Sequence, residues 1–360
     1  MEKFQCTADE IKRQAKQIKE RFFEETKGEH LVIFGCGECG HKIYNLLNSY
    51  DRSVLCFCDN GMAGGVDQPT GLKIIRPEEL SSTVSNPSIL VSVGDESACQ
   101  SICQQLLSFG FEKTQIHIMN EYFYWQTWEY FESNIERYRK VYQLWEDKFS
   151  RTVYLEKLKK AFGLSSISGI VRPSEEEYFD EVITLTENEM FIDCGGFDGD
   201  SAVRFIERCG GKYRGIVIFE PEMCKREAIE RSMDGRQYEL VQAGVWSENT
   251  KLCFDARGTS SSHISQQRGG CLIETVALDE TVHDRKPTYI KMDIEGAEQE
   301  ALKGCRKIIQ DYRPKLAVCI YHKPEDLFEI PIMIKEMNPA YKLYVRQYAD
   351  AWYDTVLYAV

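Results

Sequence analysis

One pattern occurs twice in the sequence: an apolar run, a glycine-rich loop and a stretch with helical periodicity. The first copy starts with LVIFGC at residues 31–36, and the second starts with MFIDCGG at residues 190–196. Apolar runs without alternation are typical of strands buried on both faces, as in parallel sheets. Strand-like and helix-like segments alternate after each copy, which is how parallel sheets are built. The pattern therefore predicts an α/β protein with two such units.

The length of 360 residues agrees with two domains of about 150 residues each and a connector between them. We predict a Rossmann-like domain of the nucleotide-binding type over 1–120 and a helical connector over 121–174. A second Rossmann-like domain is predicted over 175–360. Hydrophobic residues make up 43% of the chain, which is enough for a core in each domain.

The first glycine-rich loop has the spacing of a dinucleotide-binding fingerprint. Gly35, Gly37 and Gly40 fit the pattern G-x-G-x-x-G. Asp59 ends the next strand, VLCFCD, where a carboxylate can meet ribose hydroxyls. The stretches IFGCGECG, FCDN, IRPEEL and ILVSVGD resemble the sugar-nucleotide-binding half of bacterial aminosugar acetyltransferases. The resemblance implies a sugar nucleotide at this domain, and the alternative is a degenerate domain that only supports the second one.

Four cysteines near this loop raise the question of a metal site. Cys36 and Cys39 form a C-x-x-C, and Cys56 and Cys58 form a C-x-C in the next strand. Four thiolates that met at strand ends could bind zinc. Cysteine is also a small apolar residue, and these four lie in a glycine-rich loop and an apolar strand. We therefore expect reduced thiols and no metal.

An apolar stripe, rich in aromatic residues, runs over 121–149. Its members recur at spacings of four and three, as on one face of a long helix: Tyr124, Trp128, Phe131, Ile135, Tyr138, Tyr142, Trp145 and Phe149. We predict one connecting helix whose stripe packs on the protein's own domains. The alternative is that two copies of the chain pair along the stripe as a homodimer.

The second glycine-rich loop is acidic. Three aspartates lie in it or beside it: Asp193, Asp198 and Asp200. They would repel a pyrophosphate but suit S-adenosylmethionine (SAM), which carries a sulfonium and an ammonium group. Gly195, Gly196 and Gly199 let the backbone approach a ligand closely. Glu220 ends the next strand, where its two oxygens can hold a ribose diol.

The last two strand-like segments, YKLYVRQY and TVLYAV, are separated by only six residues, 349–354. A parallel crossover needs about a dozen residues or more, so these strands should form an antiparallel hairpin. A parallel sheet closed by such a hairpin is the architecture of Rossmann-like methyltransferases. We predict a seven-stranded sheet of this kind for the second domain.

Residues 175–360 resemble FkbM-type SAM-dependent methyltransferases. The matching runs, in order, are EEEYFDEVITLTENEMFIDCGGFDGDS, IVIFEPE, ETVALDE, YIKMDIEGAEQEAL, LAVCIYHKPEDLFEIP and RQYADAWYDTVLYA. The resemblance implies O-methylation, commonly of sugars or hydroxylated secondary metabolites, with SAM as cofactor. It places SAM contacts at Asp193, Gly195, Gly199, Glu220 and the backbone of Ala243. The acceptor would be a small molecule or a glycan.

Candidate catalytic residues follow two neighbouring strands, at the edge where open α/β sheets bind ligands. Asp293 and Glu295 follow TYIKM, and His322 follows LAVCIY. His322 is the predicted base, because an unperturbed imidazole has a pKa of about 6.5. The alternative is that it orients Glu295 or the substrate. Glu298 could belong to the site or cap a helix. Asp293 and Glu295 could bind a divalent cation, but no third ligand lies at a suitable spacing, so no metal is predicted.

A serine-rich segment, GTSSSHIS, lies between two strand-like segments of the second domain. Ser261, Ser262 or His263 could contact the acceptor if this segment covered the site. An ordinary surface loop is the alternative, because serine-rich segments commonly form loops.

Charge and hydropathy exclude some partners. The net charge of −13 argues against nucleic acid, because binding phosphates requires clustered Lys and Arg. The N-terminal segment lacks the apolar core of a signal peptide, and no run approaches the roughly 18 apolar residues of a membrane span. We expect a cytoplasmic protein.

The predicted function is SAM-dependent O-methylation of a hydroxyl on a saccharide, sugar nucleotide or related polyhydroxylated metabolite. Two other functions stay open. One is an NAD-dependent sugar-nucleotide oxidoreductase or epimerase that uses the first glycine-rich loop. The other is a non-catalytic sugar-nucleotide-binding partner of a glycan assembly system.

Overall fold

The computed structural model of the chain describes residues 1–27, 30–93, 96–119, 123–162, 164, 168–255, 263–264, 271–350 and 353–360. Contacts divide the chain into two compact units. The N-terminal unit comprises Glu2–Asn134 and Ala161–Leu164, and the C-terminal unit comprises Met1, Ile135–Lys160 and Ser165–Val360. The division lies within the segment predicted as a connector, so part of that segment belongs to each unit.

A six-stranded sheet organises the N-terminal unit. Its strands are β1 (Leu31–Phe34), β2 (Val54–Cys58), β3 (Gly65–Val66), β4 (Lys73–Ile75), β5 (Ser88–Val91) and β6 (Ile116–Ile118). Its helices are α1 (Glu2–Glu25), α2 (Glu38–Ser49), α3 (Pro77–Thr83), α4 (Glu96–Ser108) and the first part of α5 (Phe123–Leu144). The strand order is β3-β4-β2-β1-β5-β6, and every pair is parallel except β3 and β4. The predicted parallel character of this sheet is confirmed.

The C-terminal unit contains a four-stranded sheet and a seven-stranded sheet. Its strands are β7 (Met190–Cys194), β8 (Gly215–Phe219), β9 (Glu239–Val241), β10 (Gly244–Val245), β11 (Thr250–Asp255), β12 (His263–Ile264), β13 (Cys271–Val276), β14 (Tyr289–Met292), β15 (Lys315–Cys319), β16 (Leu343–Gln347) and β17 (Thr355–Ala359). Its helices, after the end of α5, are α6 (Lys148–Lys160), α7 (Asp200–Arg208), α8 (Arg226–Ser232), α9 (Leu278–Thr281), α10 (Glu298–Lys303), α11 (Arg306–Tyr312) and α12 (Asp326–Met337). Ser261 and Ser262 lie outside the described residues, and of His263 only the backbone is described.

The seven-stranded sheet confirms the predicted architecture. Its order is β16-β17-β15-β14-β7-β8-β9. All neighbouring strands are parallel except that β17 is antiparallel to both β15 and β16. The last two strands therefore form the predicted antiparallel hairpin. The smaller sheet has the order β10-β13-β11-β12.

Helix α1 has no counterpart among the predicted elements. Phe4, Ala8, Ile11, Ala15 and Ile18 are buried along it. Their spacings of four and three place them on one face of the helix. The stripe is inconspicuous in the sequence because two of its five members are alanines and charged residues surround it. None of the described helices, α1 included, is long and apolar enough to cross a membrane.

The single long helix predicted over 121–149 is wrong, because α5 ends before α6 begins. Between them, Trp145 forms an isolated β-bridge with Leu343. The N–H of Glu146 donates to the carbonyl of Leu343 at 3.0 Å. The side chain of Asp147 then accepts a backbone N–H from the first turn of α6. These bonds to strand β16 and to a new helix start replace the helical bonds that would continue α5.

Most of the stripe's described side chains are buried within the chain. The buried members are Phe131, Tyr138, Tyr142 and Trp145. The ring of Tyr138 packs edge-on against Phe328, with 4.9 Å between ring centroids, and Trp145 contacts Tyr154 at 5.5 Å. The side chains of Tyr124 and Trp128 lie outside the described residues. The buried members are not available to a seam between two copies, so this stripe does not support the homodimer.

Candidate active site

A cavity of about 600 Å³ opens at the carboxyl ends of the central strands of the seven-stranded sheet. Its wall includes Gly195 after β7, Glu220 after β8, Asp293 and Glu295 after β14, and His322 after β15. These four strands are neighbours in the sheet, so their carboxyl ends meet along one edge. The structure thus brings five of the predicted site residues together.

The glycine-rich loop after β7 needs its glycines. Gly195 has a φ of +87°, and a Cβ there would lie 1.9 Å from the carbonyl oxygen of Asp293. A Cβ on Gly196 would lie 2.2 Å from Cγ2 of Ile218. Gly199, with a φ of +86°, immediately precedes α7. Of the three predicted glycines, Gly195 lines the cavity, whereas the other two shape the loop behind it.

Asp193 is fully buried and does not line the cavity. Its carboxylate lies 3.1 Å from Nζ of Lys291 and accepts the hydroxyl of Ser201. Lys291 also donates to the carbonyl of Gly195 at 2.6 Å. Burial raises the pKa of Asp193, and Lys291 and Ser201 oppose that rise. Asp193 therefore acts on the cavity through Lys291 and the loop.

Glu220 lies in the cavity wall with both carboxylate oxygens engaged. They accept the backbone N–H groups of Phe197 and Glu222 at 2.9 and 2.8 Å. Burial raises the pKa of Glu220, and these two N–H groups oppose that rise. Each oxygen keeps a lone pair that can accept a ligand hydroxyl. Ala243 is buried away from the cavity, whereas its neighbour Gly244 lines it.

His322 is surrounded by three carboxylates and is only 7% exposed. Its Nδ1 lies 3.0 Å from Glu298, and its Nε2 lies 3.5 Å from Asp293 and 3.4 Å from Glu295. Glu298 also accepts the N–H of Ile294 at 2.9 Å. Glu298 is therefore part of the site, because it holds both the ring and the turn that carries Glu295.

These surroundings change the protonation expected of two groups. Burial would lower the pKa of His322, but the adjacent carboxylate of Glu298, with Asp293 and Glu295, raises it to about 9. Burial raises the pKa of Glu295 to about 7, against the charge of His322. At neutral pH His322 is thus an imidazolium, while Glu295 is close to its midpoint. The charges favour Glu295 over His322 as a proton acceptor.

Two tyrosines hold Asp293 in one orientation. Tyr178 donates to its Oδ2 at 2.8 Å, and Tyr321 donates to its Oδ1 at 3.3 Å. Burial would raise the pKa of Asp293, but the charges of Lys291 and His322 keep it below the usual value. Asp293 is therefore an ionised and oriented carboxylate, suited to positioning rather than to taking a proton.

Asp293, Glu298 and His322 bring three possible ligand atoms within 4.8 Å of one another, so these residues could hold a divalent cation. The protonated ring of His322 already places a positive charge among the carboxylates. That no metal is required stays a prediction.

Several residues of the wall have no counterpart among the predicted site residues: Glu177, Tyr178, Arg204, Lys291, Tyr321, Tyr353 and Asp354. The sequence does indicate a role for Lys291, because a lysine within the apolar strand TYIKM must pair with an acidic group if that strand is buried. Glu177 and Tyr178 precede β7, and no local pattern indicates that this segment reaches the cavity. Burial, with the charge of Asp354, raises the pKa of Glu177 to about 7.

The predicted nucleotide-binding residues of the N-terminal unit shape their own loop. The carboxylate of Asp59 accepts the backbone N–H groups of Cys36, Gly61 and Met62 at 2.8–2.9 Å. Gly35 has a φ of +110°, and a Cβ on Gly40 would lie 1.9 Å from the carbonyl oxygen of Gly35. Only Gly37 of the three predicted glycines has open space around its Cα. Nucleotide binding at this loop stays a prediction.

Residues 193–345 match the family described as the methyltransferase FkbM domain. The match begins at Asp193 and extends into β16, so it includes the glycine-rich loop, Glu220, Glu295 and His322. The predicted resemblance of this half to FkbM methyltransferases is confirmed. The family match does not extend to the N-terminal unit. The predicted resemblance of that unit to the sugar-nucleotide-binding half of aminosugar acetyltransferases has no support. No curated protein matches the chain.

The fold of the whole chain is similar to a crystal structure of methyltransferase FkbM from Methylobacillus flagellatus KT. The TM-score is 0.68 at 21% sequence identity, and the alignment covers 100% of this chain and 98% of that chain. Aeropyrum pernix fibrillarin with natively bound SAM aligns at a TM-score of 0.33 and 10% identity, over 52% of this chain and 76% of that chain. A putative methyltransferase from Streptococcus mutans in complex with SAH aligns at a TM-score of 0.34 and 12% identity, over 53% of this chain and 99% of that chain. The first likeness shows a shared fold.

Proposed function

We propose that this chain is a SAM-dependent O-methyltransferase that acts on a hydroxyl of a saccharide or related polyhydroxylated metabolite. One observation carries the proposal: the glycine-rich loop, Glu220 and the Glu295–His322 cluster share one cavity within a methyltransferase FkbM domain. A volume of about 600 Å³ is within the range of roughly 300–1,000 Å³ that small-molecule sites occupy.

Backbone exposure and charge in the proposed cofactor half of the cavity support SAM as the cofactor. Gly195 brings bare backbone to the wall where a Cβ would collide with Asp293. Glu220 offers acceptor lone pairs for a ribose diol. Asp200 also lines the cavity, whereas Asp198 does not. SAM supplies a methyl group activated on a positively charged sulfur, and a wall rich in carboxylates favours such a cation.

In the acceptor half, Glu295 is the proposed base. A hydroxyl is a weak nucleophile until its proton leaves, and a base with a pKa near the working pH is the most effective. Glu295 has a raised pKa of about 7 and lines the cavity. His322, held by Glu298, keeps Glu295 oriented and limits its protonation through its positive charge. Asp293, fixed by two tyrosines, can accept a second hydroxyl of a polyol.

The pH dependence of kcat/KM follows from these two groups. Glu295 must be ionised, so activity should fall as the pH drops through about 7. His322 must be protonated, so activity should fall again as the pH rises through about 9. We expect a bell-shaped profile between these limits, with apparent pKa values that belong to the coupled cluster. His322→Gln should remove the alkaline limb, and an unchanged alkaline limb in this variant would contradict the assignment.

Cofactor binding and methyl transfer are tested separately. Calorimetry should show binding of SAM and SAH to the full chain, and binding of NAD(H) instead would favour the oxidoreductase. A screen with labelled SAM against sugars, sugar nucleotides and glycan extracts should then identify an acceptor. Prior treatment with a chelator should leave the transfer rate unchanged. SAM binding without transfer to any of these acceptors would favour the non-catalytic alternative.

Two further experiments concern binding partners. The N-terminal unit is proposed to bind a sugar nucleotide, and a thermal-shift screen of UDP-, CMP- and GDP-sugars tests this. Because most of the described side chains of the stripe are buried, light scattering should give the monomer mass of 41.6 kDa, and twice that mass would favour a homodimer through residues 121–149.

A further inference from the structure

Three side chains from three elements meet beside the glycine-rich loop of the N-terminal unit. Cys36 follows β1, His41 lies in the first turn of α2, and Asp67 follows β3. Nε2 of His41 lies 3.0 Å from Oδ1 of Asp67, and Sγ of Cys36 lies 3.7 Å from the same oxygen. Sulfur, nitrogen and oxygen all lie within 4.8 Å of one another.

We propose that Cys36, His41 and Asp67 form a binding site for a divalent cation of the zinc class. Zinc binds sulfur at about 2.3 Å and nitrogen or oxygen at about 2.0–2.1 Å in tetrahedral geometry. Two ligand atoms of one tetrahedral zinc are therefore roughly 3.3–3.6 Å apart, with the longer values for pairs that include sulfur. The two measured separations, 3.0 and 3.7 Å, lie on either side of that range. Both separations therefore differ from the tetrahedral values by a few tenths of an ångström, and the sulfur and the nitrogen lie within 4.8 Å of each other.

The orientation of Asp67 supports a ligand role. The backbone N–H and the hydroxyl of Thr70 both donate to its Oδ2, at 3.1 and 2.6 Å. This leaves Oδ1 directed at His41 and Cys36. The ring of His41 is in turn fixed edge-on against Phe57, with 5.6 Å between ring centroids. Carboxylates that bind metals are typically hydrogen-bonded to outer partners, as Asp67 is to Thr70.

Burial and charge also suit a cation. Cys36 and Asp67 are buried, and the side chain of His41 is 30% exposed, which gives the ion a path from solvent. One thiolate and one carboxylate would balance a charge of +2. Three protein ligands leave the fourth tetrahedral position for water or another ligand.

This site differs from the zinc site that the cysteine spacing suggests. Cys56 and Cys58 are buried in the core of the six-stranded sheet, among apolar residues. Cys39 is not one of the residues that converge on Asp67. The carboxylate and the imidazole, rather than further thiols, complete the set around Cys36.

Cobalt and zinc titrations of the full chain test the site. After treatment with a chelator and its removal, one Co²⁺ per chain should bind with thiolate-to-cobalt charge-transfer absorption, and Zn²⁺ should displace it. Cys36→Ser should abolish this absorption, while Cys39→Ser, in the same loop, should retain it. Thr70→Val should weaken metal binding about 10- to 100-fold, the usual effect of losing an outer partner. His41→Gln removes a direct ligand and should weaken metal binding by about 100-fold or more.

Absence of charge-transfer absorption in the wild-type chain would overturn the proposal. Retention of that absorption in Cys36→Ser would overturn it too, because the thiolate would then come from elsewhere. If circular dichroism shows that Cys36→Ser is unfolded, His41→Gln decides, since its side chain is partly exposed. Unchanged zinc affinity in folded His41→Gln would place the ion at another site, such as the one around His322, and would reject this one.

Discussion

Glu295→Gln is expected to lower kcat/KM for methyl transfer by about 100- to 10,000-fold, the range for loss of a general base. Glutamine keeps the shape of the side chain but cannot take the acceptor's proton. The side chain meets His322 at 3.4 Å and lines the cavity, so the substitution acts at the acceptor end. The dissociation constant of SAM, measured by calorimetry, should change by less than about threefold.

The matched control is Glu300→Gln, in the next helix. Glu300 pairs with Lys303 and does not line the cavity, so its loss should leave the rate unchanged.

The acid limb of the pH profile should also disappear in Glu295→Gln. A rate within threefold of wild type would show that another group takes the proton. An equal loss of SAM affinity would instead make Glu295 a cofactor contact.

Lys291→Met should lower the free energy of unfolding by about 3–5 kcal/mol, the usual loss when one member of a buried ion pair is removed. Asp193 would remain buried without its partner, since Lys291 is 3.1 Å away and both side chains are almost inaccessible. The carbonyl of Gly195 would also lose its donor. We therefore expect weaker SAM binding as well. Urea denaturation and calorimetry measure the two effects.

Lys315→Met is the control for that substitution. Lys315 also pairs with a buried carboxylate, Glu189, at 2.8 Å, but it is itself partly exposed. Glu189 keeps donors from Thr186 and Thr288, so the loss should be smaller than that of Lys291→Met. Combining Lys291→Met with Asp193→Asn should recover part of the stability, because no unpaired charge would remain buried. A double variant less stable than Lys291→Met would contradict this account.

The sequence predicts this sheet well because its signals are local. Each buried strand ends in a polar or glycine-rich turn, so the edge that collects Gly195, Glu220, Asp293 and His322 could be derived from strand ends alone. The closing hairpin followed from one short connection. The break between α5 and α6 could not be derived, because its cause is a bridge to Leu343, almost two hundred residues away.

Protonation could not be predicted from the sequence either. The expected pKa of His322 rests on a free imidazole, whereas its pKa in the fold depends on three carboxylates that converge on it. The sequence left open whether Glu298 belongs to the site or caps a helix, and no local pattern indicated Glu177. Spacing along a chain indicates which strand end a residue occupies, but not which charges arrive there from other elements.

The segment between α5 and α6 also covers part of the outer edge of strand β16, where strands of other chains could otherwise pair. Strand β16 is an outer strand of the seven-stranded sheet, and bare outer strands recruit further strands from other chains. Here Glu146 donates to the carbonyl of Leu343, and Ser150 accepts the N–H of Val345. Arg172 donates to the carbonyl of Gln347 farther along the strand. The chain thus occupies the hydrogen-bonding positions through which β16 could otherwise template aggregation.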